Sequence, residues 1–189
     1  MRRVLKWIGI FVGSVLGLLI VGAAVLALSG GNKLNKQYDI QPDPVAISSE
    51  TAVIERGQYL VSVSCAGCHG EDLGGTAFFD DPALGTIAAS NLTAGEGGIG
   101  ATYSDADFVR AIRHGVNSAG LPLMIMPSAA YWHYSDEDLG AIIAYVKSVP
   151  PVDNDPGGKE LRLMGRVLLG AGVLDVLSVE SIDHTGPRP

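Results

Sequence analysis

"SVSCAGCHGEDLGG", residues 62–75, holds both cysteines of the chain, three apart, with a histidine directly after the second: Cys65, Cys68, His69. Four chemistries use such a pair. A disulfide here would close a very small loop and constrain the unfolded chain little. A thioredoxin-like redox pair requires a βαβ setting. A zinc site requires four ligands, and the local set stops at three. The fourth is covalent haem attachment, for which C-x-x-C-H is the signature. Two thiols add across the haem vinyl groups, and the next residue supplies an imidazole to the iron. The spacing has a geometric reason: two thioethers must reach adjacent edges of one macrocycle while the histidine emerges under its centre. The complete pentapeptide favours this fourth reading.

Outward from the motif, the chain of 189 residues has room for one domain plus extras. Its start reads "MRRVLKWIGIFVGSVLGLLIVGAAVLALSGG". Arg2, Arg3 and Lys6 precede an uncharged run of 22 residues, Trp7 to Leu28. At about 1.5 Å per residue, such a run crosses a hydrocarbon core of about 30 Å. A secretory signal has a shorter apolar region, which favours an uncleaved anchor over residues 1–30, although Ala27 to Ser29 offers a weak cleavage pattern. The preceding bases hold the N-terminus in the cytoplasm. The expectation is a single-pass protein of the cytoplasmic membrane with its haem domain on the periplasmic or extracellular side. Gly9, Gly13 and Gly17, each four apart, give a small-residue face suited to helix packing.

Charge is split along the chain. Residues 1–37 hold five bases and no acid, so residues 38–189 hold eight bases against 20 acids, a net charge of −12. An acidic exported domain is a poor partner for nucleic acid. Its field favours a protein with a basic docking face, or simply keeps the domain soluble.

Residues 31–49 contain two prolines and little apolar periodicity, and read as an extended tether. In "SETAVIERGQYLVSVSC", Val53, Ile54, Tyr59, Leu60 and Val63 recur near helical spacing, which predicts a helix over 51–64. Gly57 in its middle points to a close packing contact or to an unimportant surface position. After the motif, the run to Tyr103 is rich in Gly, Asp, Asn and Thr and reads mostly as loop. A wrapped macrocycle would supply the apolar surface that so long a loop lacks. "SDADFVRAIRHG" predicts a helix capped by Ser104 with Asp107 and stopped by Gly115. "SDEDLGAIIAYVKSVPP" repeats the device with Ser135 and Asp138 and stops at Pro150 and Pro151.

Between these helices, "GLPLMIMPSAAYWHY" offers three second ligands for iron: Met124, Met126 and His133. A methionine ordinarily fills gaps in a core. A haem held through C-x-x-C-H nevertheless needs a group on its far face, and a thioether there raises the reduction potential. Met126 leads because Pro127 restricts it to extended backbone and stiffens the loop.

Taken together, residues 50–151 resemble a class I c-type cytochrome: a helix, "CAGCH", a glycine-rich loop with "SNLT", "YSDADFVRAIRHG", "MP" and "YSDEDLGAIIAYVKSVPPV". The later segments are similar to the cytochrome subunits of membrane-bound alcohol and sugar dehydrogenases. The resemblance implies an all-α fold wrapped around one covalent haem c, here with an N-terminal transmembrane helix. It implies iron ligation by His69 and Met126, and a crossing of first and last helices at Gly57 against Tyr145. It makes Asn91, in "SNLT", a candidate haem contact alongside Cys65 and Cys68. Asn91 also heads a glycosylation sequon. Unlike those subunits, which carry several haem domains, this sequence has one C-x-x-C-H. Residues 152–189 resemble the linker into a second domain, and read either as a docking tail or as the start of such a linker. In that tail Lys159, Arg162 and Arg166 share one helical face, which fits a solvated face over a satellite core or a helix at an interface. His114 and His184 receive no role.

The implied function is electron transfer between membrane redox carriers, not catalysis. The alternatives are a fixed subunit of a larger respiratory, photosynthetic or dehydrogenase complex, and a haem enzyme or sensor with an open iron position.

Overall fold

The structure is a computed structural model describing residues 2–186. Helix α1 spans Arg2–Leu34, is exposed from Arg2 to Val25 and packs on the domain beyond that. Among the described residues it is the helix long and apolar enough to cross a membrane. The domain follows: α2 (Thr51–Ser64), the single turn α3 (Ala66–His69), strands β1 (Thr76–Asp81) and β2 (Gly85–Ala89), then α4 (Asp105–His114) and α5 (Ser128–Tyr131). It closes with α6 (Asp136–Ser148), β3 (Lys159–Leu161), α7 (Leu163–Gly170) and a 3-10 turn at Ser178–Ser181.

Helices α2 and α6 cross at the predicted glycine. A Cβ on Gly57 would lie 2.0 Å from the Ala141 carbonyl oxygen and 2.8 Å from Tyr145 Cβ. Both obstacles belong to fixed parts of α6, so the two backbones can approach only without a side chain there. Gly57→Ala is therefore expected to cost about 3 kcal/mol, the upper end of overpacking effects, read as a lowered denaturant midpoint. Leu60, Val61, Val109, Leu139, Ile142 and Ile143 fill the core beneath this crossing.

Helix boundaries follow local chemistry. Ser104 and Asp107 form a reciprocal capping box, and Gly115 ends α4 at φ 68°. Ser135 accepts the Asp138 N–H at 3.1 Å. The Asp138 carboxylate does not reach back, however: it accepts two hydrogen bonds from Arg56 of α2, each 2.9 Å.

The helices carry the fold, as the resemblance implies. The stretch after the motif is not all loop, however. Strands β1 and β2 form a hairpin, pairing Thr76 with Ala89 and Asp80 with Thr86. Asp81 makes its turn by accepting the N–H groups of Ala83 and Leu84 at 2.8 and 2.9 Å. Strand β3 joins β2 from the far end of the chain, Ile87 opposite Lys159.

Residues 35–50 are extended but laid on the domain. Tyr38 N–H bonds to the Gly120 carbonyl at 2.9 Å, Arg110 donates to the Ile40 carbonyl at 2.9 Å, and Val45 and Ile47 pack on the core. This extended segment thus lies as a strap along the domain. Residues 152–186 also fold back. Leu161, Leu169, Val176, Leu177 and Val179 build a second cluster with Ile87 and Val116, the satellite core of the sequence reading. Lys159 lies on β3 rather than on a helix shared with Arg162 and Arg166.

Candidate functional site

Helix α2 ends at Cys65, whose N–H still bonds to the Val61 carbonyl at 2.8 Å. One further turn, closed by His69 N–H to the Cys65 carbonyl at 2.9 Å, carries Cys68 and His69 round to the same side. Gly70, at φ 86°, then turns the chain away. Both cysteines are free thiols and half-buried. Burial, with a smaller contribution from Cys68, pushes the Cys65 thiol up to about 11. That is opposite to the low values that activate a redox C-x-x-C pair, so the thioredoxin-like chemistry is disfavoured.

His69 is oriented by its other nitrogen. Nδ1 lies 2.7 Å from the Ser90 carbonyl oxygen. A carbonyl can only accept, so Nδ1 carries the hydrogen and Nε2 keeps its lone pair for a metal. Burial is the main cause that lowers the His69 pKa and favours this neutral form; the Ser90 bond opposes it and the Lys159 charge assists. Lys159 bonds to Ser90 Oγ at 2.8 Å, so β3 braces the residue that orients His69.

The three distal candidates separate cleanly. His133 is exposed. Met124 packs with the satellite cluster. Met126 packs on the main core, the same cluster that Cys65 touches. Its loop is pinned on both sides. Ile125 adopts φ 65°, uncommon for a β-branched residue, and its N–H bonds to the Val176 carbonyl at 2.7 Å. The Met126 carbonyl accepts from Ser128 N–H at 2.9 Å and from Ser178 Oγ. Leu92, Ile99, Tyr103 and Tyr131, packed against the same core, are only partly buried. Partly covered apolar side chains on the core that carries Cys65 and Met126 fit a flat macrocycle.

Asn91 has a different task from the one its motif implies. It is fully buried, donates to the carbonyls of Val152 and Asn154 at 2.7 and 3.1 Å, and accepts from Thr93 N–H and Oγ1 at 2.9 and 2.8 Å. Both amide hydrogens and both oxygen lone pairs have partners within the chain. It staples the loop to the segment after α6. Ser90, Ile125, Lys159 and Ser178 carry no sequence signal of their roles, because each acts across a long separation.

Residues 54–150 match the family model described as cytochrome c. The chain is 36% identical over 139 residues to the fructose dehydrogenase cytochrome subunit of Gluconobacter japonicus, covering 68% of this chain and 27% of that protein. It is 39% identical over 109 residues to the gluconate 2-dehydrogenase cytochrome c subunit of Pantoea cypripedii, covering 53% and 24%. To the cytochrome c subunit of alcohol dehydrogenase (quinone) from Gluconobacter oxydans it is 34% identical over 115 residues, covering 57% and 24%. The chain thus spans about a quarter of the length of these relatives. With a free cysteine pair and histidine in the attachment spacing, and a matching domain around them, this chain belongs to the cytochrome c family of electron carriers with covalent haem c.

Proposed function

We propose that the chain is a membrane-anchored electron-transfer protein whose single C-x-x-C-H holds one haem through Cys65 and Cys68, with His69 and Met126 as the two axial ligands. The separation of Met124 and Met126 into different cores carries this reading. When bound, the haem supplies a one-electron iron couple. His69 would offer the haem a neutral imidazole oriented by Ser90, and Met126 a thioether on a loop pinned by the tail. With both bound, the iron would keep no open position for a substrate.

Carbon monoxide added to the reduced protein tests this. Little binding at neutral pH is expected; immediate, strong binding would mean an open iron position and overturn the proposal. A second expectation concerns the pin. Ser178→Ala removes one bond to the Met126 carbonyl, worth about 1 kcal/mol. The far-red sulfur–iron band should then melt at lower temperature, while covalent haem is retained.

Arg2, Arg3 and Lys6 support a cytoplasmic N-terminus and a haem domain on the outer side of the cytoplasmic membrane. The strap and the packing of α7 on α1 support a fixed position over a free swing, hence a subunit of a larger dehydrogenase complex, like the relatives named above. Purification in mild detergent should recover it with a partner dehydrogenase.

A further inference from the structure

Helix α1 is bare until Leu26 and engaged from there on. A Cβ on Gly170 would lie 2.0 Å from the Leu26 carbonyl oxygen, and one on Gly30 would lie 2.0 Å from the Arg166 carbonyl oxygen. Higher on α1, Lys33 pairs with Glu180 at 3.0 Å. The order Leu26–Gly170, Gly30–Arg166, Lys33–Glu180 shows α7 descending along α1 and the chain climbing back after a turn. That turn passes through Gly172, at φ 71°. The bare apolar stretch, Trp7 to Val25, is about 28 Å long at 1.5 Å per residue. It matches a hydrocarbon core of about 30 Å, so α7 lies where that core ends.

Three large apolar side chains are exposed on this part of the tail, as Tyr59, Val63 and Phe78 are elsewhere on the domain. Leu163 is 70% exposed, Met164 51% and Val173 73%. Beside them a groove of about 380 Å³ is lined by Ala27, Leu28, Glu160, Arg162, Leu163 and Arg166. Arg162 donates to the Pro82 carbonyl at 2.7 Å and Arg166 to the Leu161 carbonyl at 2.8 Å. These single bonds fix the guanidinium groups and leave their other N–H donors for the groove. Two guanidiniums and the Glu160 carboxylate line the groove, Asp81 lies near enough to feel the Arg162 charge, and Ala27, Leu28 and Leu163 supply an apolar floor; this suits a phosphate with its acyl chain directed downward.

We propose that α7 and the turn at 171–173 are a second membrane contact: Leu163, Met164 and Val173 enter the outer interface, and Arg162 and Arg166 hold the phosphate of an anionic phospholipid. This rests on α1 being a retained membrane anchor. Proximity to the end of the span is what selects lipid over a protein occupant.

The test uses the full haem-loaded chain in liposomes doped with phosphatidylglycerol or phosphatidylcholine carrying a photoactivatable acyl chain, with adducts mapped by mass spectrometry. Adducts are expected on α1 and on residues 163–173. Phosphatidylglycerol should label 163–173 about fivefold more than phosphatidylcholine, as roughly one cation's attraction to an anionic surface requires. Arg162→Gln with Arg166→Gln should erase that excess and leave α1 labelling unchanged. Labelled α1 with a bare 163–173 peptide overturns the proposal and leaves the anchor intact, as a protein occupant would. Equal labelling from the two lipids also overturns it. Absence of adducts on α1 itself overturns the anchor first.

Discussion

With both Cys65 and Cys68 changed to serine, all haem is expected to leave the denatured protein on acid–acetone extraction, whereas the parent chain keeps its haem on a denaturing gel. Serine cannot form the thioether, so the effect is all or none rather than graded. Either single change leaves one possible linkage and should retain haem in reduced yield. The double variant should also fold poorly. The partly buried Leu92, Ile99, Tyr103 and Tyr131 depend on the macrocycle to complete their burial. Exposing an apolar face of aromatic size costs about 1.5–3 kcal/mol per side chain. Covalent haem that survives in the double variant would sink the assignment of both cysteines.

The second large effect concerns the proposed sulfur ligand. Met126→Ala should abolish the weak far-red sulfur–iron band of the ferric protein. It should also lower the reduction potential by a substantial part of the roughly 0.8 V that axial ligation spans. Met124→Ala should leave the band and the potential nearly unchanged. It removes packing from the satellite cluster and so costs stability, on the order of 2–5 kcal/mol if that site cannot collapse. Spectrum and stability thus move apart in the two variants. If the Met124 change alone removes the band, the wrong sulfur has been assigned.

What was legible in the sequence was local. The α2 boundaries, the Ser104–Asp107 box and the Gly115 stop each rest on residues a turn apart, whereas the Gly57–Tyr145 crossing comes from the resemblance, Gly57 alone leaving a close contact and a surface position both open. Pro127 singles out Met126 in the sequence because its constraint acts on the residue next to it, and in the structure Met126 packs on the main core. The hairpin was hidden by its composition. "TAFFDD" and "GTIAA" are short, and the Gly and Asp around them speak for loop until Asp81 is seen to build a turn. The tail was opaque for a different reason. Its bonds join Val176 to Ile125, Ser178 to Met126 and Lys159 to Ser90, and nothing in the local pattern reports a partner fifty or more residues away. For Asn91 the resemblance implies a place near the cofactor, and the contacts add what the motif does not carry: its amide is bonded within the chain itself.

The pin on the Met126 loop has a consequence for how the molecule is made. A chain is synthesised from its N-terminus, and Ser178 follows Cys68 by 110 residues. The cysteine pair therefore emerges well before the hydroxyl that braces the Met126 loop. Any chemistry on Cys65 and Cys68 in a chain that is still emerging meets a Met126 loop without that brace.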